Sequence, residues 1–135
     1  MTRDQQTKRT ARRGTAAVEF AVCLPVIVML VFGGIEASSM IFLKQSLNVA
    51  AYEGVREAAS RSATNESTSA RVSEILESRN VEGYRLQLPN RSVEQINRGG
   101  KIAIVVTAPS RWNSPIAGRF LKTTTVTARA SMVKQ

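Results

Sequence analysis

Glu19 lies four positions inside an apolar stretch that begins at Thr15, directly behind the basic segment Lys8-Arg9-Thr10-Ala11-Arg12-Arg13-Gly14. A carboxylate placed mid-helix in a membrane costs about 3 kcal/mol, so such a group implies a charge partner and a functional role. The chemistry open to Glu19 is ion pairing in a low dielectric. Other chemistries are poorly supplied. There is no histidine, which removes the usual neutral-pH acid/base group and the commonest metal ligand. The one cysteine, Cys23, lies within the apolar run, so no internal disulfide is possible and no metal site or cofactor is expected. The chain therefore reads as a structural or binding protein and not an enzyme.

The element that must position Glu19 is the apolar segment itself. Residues 20–35 carry no charge, and beyond Glu36 the apolar pattern resumes at Met40-Ile41-Phe42-Leu43. Sixteen residues are short for a full crossing, which takes about 20, so the expected span draws on residues 16–43 with Glu19 and Glu36 near the two interfaces. Within it, Pro25 predicts a kink, because proline removes one backbone donor. Gly33 with Ala37, and Gly34 with Ser38, form small-xxx-small pairs that permit close helix approach. Cys23 reads as an ordinary buried apolar cysteine, since Val22 and Pro25 around it do not suit a lipidation site.

Charge gives the orientation. The formal net charge is +9, but residues 1–14 hold five Lys/Arg against Asp4, which leaves +5 for the rest. Lys8, Arg9, Arg12 and Arg13 precede the span, whereas Glu36 and then Lys44 follow it. The positive-inside rule then puts the N-terminus in the cytoplasm and exports the C-terminal part. The basic tail has no aromatics and abuts a span, so no nucleic-acid partner is expected. Arg12-Arg13 lacks the following apolar residues of a twin-arginine export signal. Two other readings of the N-terminal region stay open: an uncleaved single-pass anchor, and a secretory signal cut near Ala37-Ser38-Ser39.

Past Leu43 the period becomes that of an amphipathic helix. Leu47, Ala50, Ala51, Gly54, Val55, Ala58 and Ala59 recur at three- and four-residue intervals among Lys44, Glu53, Arg56, Glu57 and Arg61. Residues 62–69 read as a polar linker, and residues 70–79, with Val72, Ile75 and Leu76 on one face, as a short second helix ending near Gly83. The period then falls to two. Tyr84, Leu86 and Leu88 alternate with polar residues, residues 101–108 form an apolar β-rich run after Gly99-Gly100, and Val126, Ala128, Ala130 and Met132 share one face of residues 123–133. A long Pro/Ser/Gly loop between the last two strands carries the sole tryptophan, Trp112, which could anchor a protein contact or close the open end of the sheet.

The run Arg13-Gly14-Thr15-Ala16-Ala17-Val18-Glu19-Phe20-Ala21-Val22-Cys23-Leu24-Pro25 resembles the TadE-like pseudopilins, minor pilins of the Flp/Tad branch of type IV pili. Asn48-Val49-Ala50-Ala51-Tyr52-Glu53-Gly54-Val55-Arg56-Glu57-Ala58-Ala59 resembles the stretch that follows the span in the same family. The likeness covers about residues 12–60. It implies a prepilin peptidase that cuts between Gly14 and Thr15, with Glu19 at the fifth mature position and Phe20 beside it as the processing and assembly motif. It implies further partners in other minor and major pilins, the pilus assembly platform and the bacterial inner membrane, possible residence in the extracellular pilus, and no cofactor.

The expected fold class is α+β and pilin-like: a long N-terminal membrane-spanning helix continuing into an amphipathic half, a short second helix and a three-stranded antiparallel sheet. The expected organisation is a leader at 1–14, a transmembrane helix at 15–43, an amphipathic extension at 44–61, a linker at 62–69 and an exported domain at 70–135. A single-pass inner-membrane adaptor with an exported partner-binding domain is the alternative function.

Overall fold

In a computed structural model, residues 3–89, 92–115 and 124–135 are described, with side chains from residue 14 onward. The element order is α1 (Arg3–Ala58), α2 (Asn65–Ser78), β1 (Arg85–Gln87), a single 3₁₀ turn (Val93–Gln95), β2 (Lys101–Pro109), α3 (Ser110–Asn113) and β3 (Thr125–Val133). The chain divides into two compact units, Met1–Ile35 and Glu36–Gln135.

The first unit is the N-terminal part of α1, which stays helical through Pro25. Every residue from 14 to 35 is exposed. A helix that is apolar on all sides and buried on none is built for lipid or for a helix bundle. Among the described residues one helix, Gly14–Ala58, is long and apolar enough to cross a membrane, and none of its most apolar stretch is buried in the protein.

The second unit holds the core. From α1 come Leu43, Leu47, Ala50, Ala51, Val55 and Ala58; from α2, Val72, Ile75 and Leu76; from β2, Ile102, Ile104, Val106 and Ala108; from β3, Ala128. The three- and four-residue spacing read from the sequence is thus the helix face that meets the sheet. Leu43, expected as the last residue of the span, is buried in this core, while Ile41 and Phe42 stay exposed.

The sheet is an antiparallel meander of order β1-β2-β3. In its long pairing Lys101 faces Val133 and Pro109 faces Thr125. Along β2 the side chains at 102, 104, 106 and 108 are buried, and Tyr84, Leu86, Leu88, Val126, Ala130 and Met132 pack partly buried against the same core. A three-stranded sheet is marginal alone, and the covering helices stabilise it.

Helix α2 starts earlier than its apolar period suggests. Thr64 Oγ1 accepts the Ser67 amide at 2.9 Å while Ser67 Oγ accepts the Thr64 amide at 3.1 Å, a reciprocal cap that opens the helix at Asn65 within the polar stretch expected as linker. The helix ends before Gly83, at a left-handed Asn80 (φ 52°), where the amides of Asn80 and Val81 donate to Glu77 O and Leu76 O.

The C-terminus is tied into the domain. The Gln135 amide donates to Ala59 O at 3.1 Å, and the buried Lys134 donates its ammonium to Val93 O. Lys44 donates similarly to Thr127 O, which fastens α1 to β3.

Candidate functional site

Gly14, Thr15, Glu19 and Phe20 all lie on α1, so Thr15 and Glu19 stand one turn apart on the same face. Because helical side chains tilt toward the N-terminus, the Glu19 carboxylate is directed at the turn that holds Thr15. Glu19 is exposed, and Phe20 is 60% exposed. A Cβ built on Gly14 would meet nothing within 4 Å among the described residues. The arrangement offers an approachable main chain at 14–15 with an acid one turn away.

Further along, a Cβ on Gly33 or Gly34 would likewise meet nothing, and Ala37 and Ser38 are exposed. These two small-residue rows are therefore open to another helix. Pro25 leaves the carbonyl of Ala21 without its usual intrahelical donor. Cys23, expected to be buried, is exposed on the helix, so any burial has to come from lipid or another chain. Lys8, Arg9, Arg12 and Arg13 are helical in backbone, but their side chains lie outside the described residues.

Two features of the second unit were not foreseen. Ser114 donates its hydroxyl to Glu36 Oε1 at 2.6 Å, so Glu36 is held by the domain and not merely solvated. Asn113 locks the short helix α3 beside it: its amide nitrogen donates to Glu82 O at 2.9 Å and Pro109 O at 3.0 Å, and its Oδ1 accepts the Glu82 amide at 2.9 Å. Trp112, on this fixed turn, is 59% exposed. It stands between two grooves, one lined by Phe42, Asn80 and Pro115, the other by Gly83, Tyr84 and Thr107. Polarity alone gave no signal for either feature, since the Glu36–Ser114 bond joins residues 78 positions apart.

Elsewhere on the domain surface, Arg71 bridges Glu74 at 2.8 Å and Glu53 at 3.7 Å. The hydrogen bond from Arg71 to Glu74 is the main cause that raises the guanidinium pKa above its ordinary value. This network joins α1 to α2 at the surface and carries no reactive group. Among the described residues no three potential metal ligands cluster.

Residues 14–56 match the family model described as TadE-like protein. The segment is TadE-like, which agrees with the resemblance carried by the residues around Glu19 and Gly54. No curated protein and no solved structure matches the chain. The TadE-like segment coincides with the helix that is long and apolar enough to cross a membrane.

Proposed function

We propose that this Tad pilus-associated chain is a minor pilin or pseudopilin precursor, cut by a prepilin peptidase between Gly14 and Thr15. The observation that carries the reading is the position of Glu19, the fifth residue from Thr15, in an apolar helix exposed on every side. The family match, which begins at Gly14, supports it. Lys8, Arg9, Arg12 and Arg13 hold the leader at the cytoplasmic face before cleavage, and the domain from Glu36 onward is exported.

The span in this reading is residues 15–35. At 1.5 Å per residue it is about 31 Å long, which matches the hydrocarbon thickness. It is shorter than the stretch ending at Leu43, because Leu43 is committed to the core and Glu36 to Ser114.

Cleavage removes five cations and leaves a cationic amine on Thr15, one turn from Glu19. At 4 Å and an effective dielectric of 20, an amine and a carboxylate attract by about 4 kcal/mol, against about 1 in water. Pairing within one subunit or with a neighbour therefore favours moving the helix from lipid into a bundle of pilin helices, where Gly33, Gly34, Ala37 and Ser38 permit close approach. A misregistered neighbour would leave the carboxylate unmatched, so the pair also sets register. The partners are the peptidase, other minor and major pilins and the assembly platform.

Gly14→Leu tests the processing step. A branched side chain crowds the backbone that the peptidase must reach, so the variant should run at precursor size in a strain where the wild-type chain is shortened. Shortening of both forms to the same size would refute this cleavage position.

A further inference from the structure

We propose that Trp112 is an interfacial anchor: it seats the exported domain among the lipid headgroups of the membrane that the chain itself spans. The inference rests on the reading of residues 15–35 as the span. With that span, Glu36 marks the outer edge of the hydrocarbon, and the zone of headgroups extends about 5–8 Å beyond it.

The geometry of the domain puts Trp112 in that zone. Ser114, two residues away, is hydrogen-bonded to Glu36 at 2.6 Å. Phe42, which lines one groove with Trp112, is six helical residues beyond Glu36, or about 9 Å along the axis. Trp112 is thus two residues from the contact that ties its turn to the level of Glu36. The ring of Trp112 is 59% exposed. Aromatic and apolar surface of this kind is ill suited to water and well suited to the boundary of a bilayer, where an indole keeps its N–H wet and its body dry.

The turn is also rigid enough to act as an anchor. Asn113 spans from Pro109 to Glu82 through three hydrogen bonds, and the ring of Trp112 lies 3.8 Å from where a Cβ of Gly83 would be. Arg111, exposed on the same turn, adds a cation that lipid phosphate can pair.

Trp112 is the sole tryptophan, so its fluorescence reports directly on its surroundings. The full chain is reconstituted in phosphatidylethanolamine/phosphatidylglycerol vesicles, with lipid brominated high on the acyl chain as one quencher and aqueous acrylamide as the other. Trp112 emission should be blue-shifted and mostly lost to bromolipid, with little loss to acrylamide. The control is Trp112→Phe combined with Tyr52→Trp: position 52 is exposed but lies about 24 Å past Glu36, and its emission should be lost to acrylamide alone.

A water-borne thiol reagent on Cys23 separates the two claims. If Cys23 is protected while Trp112 is quenched only by acrylamide, the anchor is refuted and the span stands. If Cys23 is labelled, the span fails and takes the anchor with it. Equal bromolipid quenching at positions 112 and 52 would mean that the whole domain adsorbs to lipid, and would refute a specific seat.

Discussion

Gly54 faces Val72 so closely that a Cβ on the glycine would sit 2.5 Å from Val72 Cγ2, with Ile104 Cδ1 at 3.5 Å. Here α1, α2 and β2 meet, and only a residue without a side chain lets all three close. Val72 is fully buried and β-branched, so it cannot simply swing aside.

Gly54→Leu should therefore destabilise the domain by about 1–3 kcal/mol, the usual cost of overpacking. Gly54→Ala should lose less, since alanine regains up to about 1 kcal/mol of helix propensity. Adding Val72→Ala to Gly54→Ala should recover part of the packing loss. Thermal unfolding of the full chain in detergent reads all three, and an unchanged midpoint for Gly54→Leu would contradict the close approach.

Core and span should respond differently to the same truncation. Leu76→Ala removes a fully buried side chain and should cost about 2–5 kcal/mol. Leu30→Ala removes one that is 70% exposed in the span and should leave domain unfolding where it was. Equal losses would show that residue 30 belongs to the core.

The cap of α2 is accessible to a milder test. Thr64→Ala deletes the acceptor for the Ser67 amide and should lower stability by about 1 kcal/mol, while Thr64→Ser should keep most of it. Amide exchange at residues 66–68 should rise in the alanine variant alone.

Much of this fold is legible in the sequence, for a physical reason. Leu47 to Ala59 and Ile102 to Ala108 are elements with one buried face, so their periods of 3.6 and 2 show directly which side chains meet. The burial of Leu43 is not legible, because an apolar residue at the end of an apolar run looks the same whether lipid or protein covers it. The start of α2 was late because its first turn, Asn65 to Thr68, is made by a cap and not by apolar spacing. Lys134 is buried against all expectation from its charge, since a single backbone acceptor at Val93 receives it. The Gly14–Glu19 spacing was readable because it is local, whereas Glu36 and Ser114 are brought together only by the folded domain.

Topology is tested by thiol labelling. Cys23 should resist a water-borne reagent in intact cells, while Ala70→Cys, at an exposed position clear of the Thr64–Ser67 cap, should label from the periplasm without permeabilisation. Labelling of position 70 only after the inner membrane is opened would invert the orientation.

The two acids flanking the span should differ in consequence. Glu19→Gln leaves the leader and Gly14 untouched and should still be processed, but it forfeits the charge pair and should impair pilus biogenesis. Glu36→Gln keeps an oxygen that can accept the Ser114 hydroxyl, so it should be tolerated. Surface pili in a complemented deletion strain give the comparison, and normal piliation in Glu19→Gln at normal protein level would remove the pairing mechanism.

The central claim is that Thr15 is the first residue of the functional subunit. N-terminal sequencing and intact mass of the protein extracted from membranes of a strain with its native peptidase measure this directly. The predicted result is a chain that begins Thr15-Ala16-Ala17-Val18-Glu19 and lacks the mass of residues 1–14. An intact leader, or an N-terminus near Met40, would contradict it.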